Sequence, residues 1–196
     1  MAPALIALHY QNDICHSVGK IPFAIDHAQG DAGRFLEASR KALELARSLG
    51  WTIAHVHVAF APDYSDLPRN YRLFRAVERL GAVKLGSWGA AAHEGFEPHF
   101  GEIHLIHRAN SAFFGTGLQG TLEGRGVREV TVCGLATQFS VEHTVRDAVD
   151  RGYCVSVLRD CCASADAAAA GAAFEVMAML AEVRNSLTWP LGEERT

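Results

Sequence analysis

Three residues whose types suit acyl-transfer chemistry stand at the ends of apolar runs: His9 after Ala4 to Leu8, His107 after Glu102 to Ile106, and Ser140 in the segment that follows Glu129 to Cys133. A serine hydroxyl becomes a nucleophile when a nearby base takes its proton. Imidazole, titrating near 6.5, does that close to neutral pH. The segment Gly134-Leu135-Ala136-Thr137-Gln138-Phe139-Ser140 places a glycine-containing turn before a helical pattern. Backbone N–H groups at such a helix start are unsatisfied and can hold a developing oxyanion. Plainer readings exist beside these. Serine is a preferred helix N-cap, and a histidine at the end of a buried strand is often a satisfied core residue. His55 and His57 share one face of a strand-like run, so a metal site with His9 and His107 is a further alternative.

The elements that must position these residues alternate along the whole chain. Strand-like runs are expected at Ala4–Leu8, Trp51–Val58, Glu102–Ile106, Glu129–Cys133 and Cys154–Leu158, with an edge strand at Ser186–Trp189. Helical spacing marks Asp31–Leu49, Asn70–Leu80, Gly117–Glu123, Ser140–Asp150 and the alanine-rich Ala165–Val183. Glu142 and Arg146 read as an i,i+4 pair on a solvated face. Strands alternating with helices imply βαβ units and a parallel sheet covered on both faces. Ligands bind such sheets outside the carboxyl ends of the strands, where the three candidate residues fall. Tyr10, Phe60, Trp88, Phe113 and Phe139 lie on or near the same loops and are candidate pocket walls for a compact substrate.

Composition narrows the function classes. The chain has 196 residues, 49% apolar and 20% charged, which fits one domain spanning 1–196. Formal net charge is −4 with no basic stripe, so nucleic acid is not an expected partner. No apolar stretch approaches the ~20 residues of a membrane span, and the first residues lack a signal-peptide pattern. The expected location is cytoplasmic. Five cysteines, an odd number without a CxxC, argue against a disulfide framework; Cys133 and Cys154 read as small hydrophobes in strands.

Four segments together resemble the isochorismatase-like cysteine hydrolases, a family that includes nicotinamidases and N-carbamoylsarcosine amidohydrolases. They are Leu8-His9-Tyr10-Gln11-Asn12-Asp13-Ile14, Ser111-Ala112-Phe113 with Gly115-Thr116, Gly134 through Ala148, and Asp160-Cys161-Cys162-Ala163-Ser164. The resemblance covers essentially the whole chain. It implies a three-layer αβα fold, Rossmann-like, with an open, mostly parallel sheet of about six strands. It also implies a small-molecule substrate and a homodimer or homotetramer; family nicotinamidases bind a metal, but their Asp/His spacing is not evident in 62–73, and no cofactor is expected for this chain. Gly86-Ser87-Trp88-Gly89 resembles the family's lid segment, and the Leu135–Ala136 bond corresponds to one the family holds in cis.

The family's Asp base, Lys and Cys nucleophile fall on His9, His107 and Ser140. An alcohol needs a stronger base than a thiol does, and imidazole supplies it, so the replacements compensate in direction. The reading that follows is a small-carbonyl, amide-like hydrolase. Ser140 attacks, His9 is the base, His107 orients His9 or stabilises its charged form, and the N–H groups near Ala136 and Ser140 hold the oxyanion. The alternatives are a pseudoenzyme that binds a small ligand and a metal-dependent variant built on His9 and His107. Cleavage of isochorismate itself is not expected, because the acid that protonates its vinyl ether is absent from position 9.

Overall fold

The computed structural model describes residues 3–21, 24–25 and 31–190; the chain ends, part of the expected 1–196 domain, lie outside them. Strand β1 (Ala4–Leu8) is buried along its full length. It lies between β2 (Thr52–Val58) and β4 (Glu129–Leu135). With β3 (Ile103–His107), β5 (Cys154–Ala163) and β6 (Glu182–Arg184) outside them, the order is β3-β2-β1-β4-β5-β6, all pairs parallel.

A strand covered on both faces favours apolar residues throughout, and the run Ala-Leu-Ile-Ala-Leu follows that pattern. Leu5 and Ala7 join a core with Phe35, Leu43 and Ala46 of α2 (Asp31–Ser48) and with Phe74 and Val77 of α3 (Arg72–Leu80). Ala4, Ile6 and Leu8 face the other side. There they meet α4 (Leu118–Gly124), α5 (Glu142–Asp150) and α6 (Ala167–Met177) through Leu122, Val145 and Phe174. The expected helix–sheet–helix layering is therefore present. A short helix, α1 (Asn12–Cys15), follows β1 directly. On the outer face of α5, Arg146 lies 2.7 Å from Glu142. Among the described residues no helix is long and apolar enough to cross a membrane.

Several boundaries differ from the sequence reading, each for a tertiary reason. Strand β5 runs on from Leu158 to Ala163, because past a register shift in β4 the ladder resumes with Gly134 opposite Cys162. Helix α6 stops at Met177, and Val183 instead pairs with Val157, so the edge strand is Glu182–Arg184. Ser186–Trp189 is not a strand. Trp189 is buried there, its indole N–H donating to Thr131 Oγ1 at 3.1 Å and its ring edge-on to Trp51. Strand β3 includes His107, and Glu102 is freed to bind Arg47 and His55. Cys154 is exposed rather than packed, while Cys133 is buried.

Gly134 is where β4 meets β1 most closely. Its φ of +131° lies outside the range of ordinary side-chain-bearing residues, and a Cβ there would sit 2.1 Å from the Leu8 carbonyl oxygen. Both atoms belong to central backbone that cannot yield. Gly134→Ala is expected to lower the unfolding free energy by about 3 kcal/mol, read from urea melts. Gly120→Ala, in α4 with open space around the new methyl, should instead stabilise by about 0.5–1 kcal/mol. Equal effects of the two substitutions would show that the β1–β4 contact does not set the cost.

Candidate active site

His9 directly follows β1 and lies in the left-handed region, with φ +61°. Its N–H still donates to Val56 O at 2.9 Å, and Gln11 N–H turns back to His9 O at 2.7 Å. This single residue breaks the strand's alternation, and its ring meets the end of β3. There His9 Nε2 lies 2.6 Å from His107 Nε2, with ring centroids 4.9 Å apart and planes tilted by 47°. Both residues are buried. His107 Nδ1 is 3.0 Å from the Ser111 carbonyl oxygen. A carbonyl only accepts, so Nδ1 carries the hydrogen and neutral His107 offers Nε2 as a lone pair. The proton between the rings then belongs to His9 Nε2.

Burial holds the His9 pKa well below the ordinary imidazole value, and nearby His107 and His57 add to the effect; the Leu135 carbonyl partly opposes it. Burial likewise pulls His107 down to about 4, opposed by its bond to Ser111. Both rings are neutral at pH 7, the state in which one can donate to the other.

Ser140 approaches from β4. After the Leu135–Ala136 bond, which is cis, the chain makes a π-helical turn, Thr137–Val141, before α5 begins. Ser140 is buried inside this turn, and Val141, not Ser140, occupies the N-cap position of α5. The serine is therefore not a helix cap. Its hydroxyl makes no hydrogen bond among the described residues, to either imidazole or to backbone.

His9, Ala136 and Ser140 share one cavity of about 40 Å³. Its remaining wall is mostly apolar, with Ile14 and Ile21 near β1, Phe74 and Val77 from α3, and Leu135 and Phe139 beside the serine. Asn110 is the one further polar side chain. His107 stands behind His9 and does not line the cavity.

Of the aromatic residues expected around the site, only Phe139 lines this cavity. Tyr10 is core: its hydroxyl donates to Cys161 O at 2.9 Å and its ring stacks on Phe96 at 4.2 Å. Phe60 is buried against Phe74, and Phe113 stacks on Tyr153 within the core. Trp88 is half exposed, edge-on to His16. Its segment is pinned rather than free, because Asn12 Nδ2 donates to Trp88 O and Gly89 lies so close to Asp13 that a Cβ would overlap the carboxylate. Gln11 acts similarly, with Nε2 donating to Val58 O and Ala90 O and Oε1 accepting from Val58 N–H. The motif after His9 is thus the scaffold of the site. The α3 residues that do line the cavity were missed as site residues. Their only sequence signal is the i,i+3 apolar spacing of Phe74 and Val77, which marks any core helix.

Among the described residues the His9–His107 pair does not have the spacing of two ligands on one metal ion. Two imidazole nitrogens bound to tetrahedral zinc at ~2.0–2.1 Å stand roughly 3.3 Å apart, wider than the 2.6 Å between His9 and His107. His55 is taken by Glu102 at 2.8 Å and His57 by His104 at 3.1 Å. Among the described residues no group of three or more His, Cys, Asp or Glu could hold an ion.

A family model, the isochorismatase domain, matches residues 3–186. Over 169 residues the chain is 32% identical to the ureidoacrylate amidohydrolase of Variovorax paradoxus, covering 80% of this chain and 67% of that one. It superposes on an isochorismatase family protein from Desulfovibrio vulgaris with TM-score 0.84, at 28% identity and 95% of each chain. On N-carbamoylsarcosine amidase from Thermoplasma acidophilum the TM-score is 0.74, at 26% identity, over 95% of this chain and 97% of that one. The chain spans from 42% to 68% of the length of the first curated relatives it matches.

The buried pair has a consequence for stability. The folded His107 pKa of about 4 lies below the unfolded value of 6.5, so the unfolded chain takes up the proton first. The stabilisation is complete above pH 6.5 and is lost as pH falls toward 4. His107→Asn is expected to reduce the slope of unfolding free energy with pH over that window by up to one proton, about 1.4 kcal/mol per pH unit. An unchanged slope in denaturant melts at pH 6, 5 and 4 would show that His107 is not held neutral.

Proposed function

The chain belongs to the isochorismatase family, and on that premise we propose that it hydrolyses a small amide-like substrate with Ser140 as nucleophile. The observation that carries this reading is the convergence of His9, Ala136 and Ser140 on one small cavity, with His107 bonded behind His9. The names of two relatives, an ureidoacrylate amidohydrolase and an N-carbamoylsarcosine amidase, supply the C–N bond class.

In this mechanism Ser140 Oγ attacks the carbonyl carbon and its proton passes to His9 Nδ1. The oxyanion rests on the N–H groups of Ala136 and Ser140. Collapse breaks the C–N bond, and His9 returns the proton to the departing nitrogen. A water, deprotonated by His9, then cleaves the acyl-serine ester and restores the hydroxyl. His107 is a positioning residue. By holding His9 Nε2–H it turns Nδ1 into the working base, and the Leu135 carbonyl favours the protonated ring that forms. The apolar, shallow cavity favours a compact group at the reacting carbon and keeps bulk water from the pair.

A second reading, a small-ligand-binding pseudoenzyme, is favoured by one observation: the Ser140 hydroxyl has no hydrogen bond to either imidazole. Catalytic hydrogen bonds commonly tighten only when substrate is bound, so turnover decides between the two. Purified protein is expected to hydrolyse members of a panel of small amides, ureido compounds and esters. Ser140→Ala should lose at least about 10³-fold in kcat and His9→Ala a comparable factor, with circular dichroism unchanged. Undiminished turnover in Ser140→Ala removes the nucleophile, and no turnover of any panel member leaves the binding reading.

The pH profile offers a separate check. His9 must be neutral to act, and burial keeps it neutral well below pH 6.5. The acid limb of kcat/KM is expected below that value. In His107→Ala the limb should move, because a neighbouring imidazole that lowers the His9 pKa is gone. A limb fixed at 6.5 in both proteins would contradict the buried base.

A further inference from the structure

The state of the histidine pair depends on one atom outside it, the Ser111 carbonyl oxygen, 3.0 Å from His107 Nδ1. Which nitrogen of a neutral imidazole bears the hydrogen is set by the bonds its surroundings offer. Whatever fixes this carbonyl therefore fixes the tautomer of His107. The oxygen sits in a loop past the end of β3, where it also accepts from Phe114 N–H at 3.3 Å. A lone surface turn would leave it free to swing.

The loop is tied down from α5. Ser111 Oγ donates to Asp147 Oδ2 at 2.6 Å, the length of a hydroxyl bonded to an ionised carboxylate. The same Oγ accepts from Phe113 N–H at 3.1 Å, and Ala112 N–H donates to Thr144 Oγ1 at 3.1 Å. Thr144 and Asp147 are three residues apart and share one face of the helix. The other carboxylate oxygen of Asp147 accepts from Arg151 Nε at 2.7 Å, and the Arg151 guanidinium lies 5.1 Å over the Phe113 ring. Ser111 and Thr144 are buried. A partly exposed ion pair such as Asp147–Arg151 adds little stability by itself, but here its carboxylate also holds a buried hydroxyl. Helix α5 begins directly after the π-turn that contains Ser140. One element thus carries Ser140 at its start and, about two turns later, grips the loop that orients the histidines.

We propose that Asp147 is a positioning residue acting through Ser111. Its carboxylate holds the Ser111 carbonyl on His107 Nδ1, which keeps the histidine pair in one tautomer and in register with Ser140. The inference rests on the Ser140 reading only for its effect on turnover. The effect on the imidazoles stands on the hydrogen bonds alone.

The test is nitrogen NMR of full-length protein carrying isotope-labelled histidine, above pH 7, where both rings are neutral. Ring nitrogens with and without a hydrogen resonate far apart, and the His107 signals are identified by their loss in His107→Asn. Ser111→Ala and Asp147→Ala are each expected to raise the share of the second His107 tautomer about fivefold or more, the scale of one lost hydrogen bond. Asp147→Asn keeps an acceptor for the Ser111 hydroxyl and should retain part of the wild-type signal. Arg146→Ala breaks an ion pair on the outer face of the same helix and should change nothing. Unmoved His107 signals in Ser111→Ala and Asp147→Ala would overturn the proposal. So would an equal change in Arg146→Ala, which would point to general loosening of α5. Circular dichroism checks folding; if Asp147→Ala does not fold, Ser111→Ala, which deletes a single hydroxyl, decides alone. For any substrate turned over, Asp147→Ala should lower kcat at least about tenfold with KM little changed. Failure of the catalytic reading looks different: wild-type protein turns nothing over, while the tautomer change persists. Turnover with unmoved histidine signals gives the reverse outcome.

Discussion

A parallel strand buried on both faces favours apolar side chains along its length, and β1, the strand that carries His9 at its end, follows that preference throughout. Strand β1 is apolar at all five positions, and the chain turns polar at once beyond it. His9, Gln11, Asn12 and Asp13 follow within five residues, every one buried. Each must find partners, because an unpaired buried polar group costs about 1–3 kcal/mol. Gln11 bridges Val58 and Ala90, Asn12 holds Trp88, and Asp13 accepts from Val83 N–H at 2.7 Å. These bonds draw loops from three distant parts of the chain over the end of β1. The polar residues thereby form a rigid frame, and His9 is the member turned toward β3.

The pairing of His9 with His107 follows from the same economy. Two ionised groups in so dry a place would need strong mutual compensation for lost hydration. Two neutral imidazoles need only one hydrogen bond between them and one carbonyl, that of Ser111, to fix the direction of the proton. Burial, which disfavours the charged form of both rings, maintains the neutral state on which that bond depends. His9 and His107 thus form a charge-neutral pair. The electrostatic demand on the surrounding core is correspondingly small.

The turn carrying Ser140 divides the ground around it. On one side the apolar cavity exposes His9 and the hydroxyl to a compact group. On the other a larger space, lined by Thr137 of the same turn, has Arg159 stacked on Phe174 in its wall. Neither cavity belongs to one element. Each is closed by α2, α3 or α6 packing against the carboxyl edge of the sheet. Specificity in such a fold resides in the few side chains that helices from different parts of the chain bring to that edge.

By itself the sequence determined the alternation of parallel strands and covering helices, because apolar runs and helical spacing are written locally in the residues that form them. It also determined that His9, His107 and Ser140 would stand at the carboxyl edge, since that follows from strand order and direction alone. The tertiary structure decided what those residues face. One left-handed residue at position 9 sets where an imidazole points, and a π-turn, not a capped helix, receives Ser140. Tyr10 turns into the core while Phe139 turns to the cavity, although both sit just past strand ends. Arg159 lies over Phe174, from another element. Such outcomes depend on single dihedral angles and on packing between segments far apart in the chain, and neither is encoded in the spacing of residues.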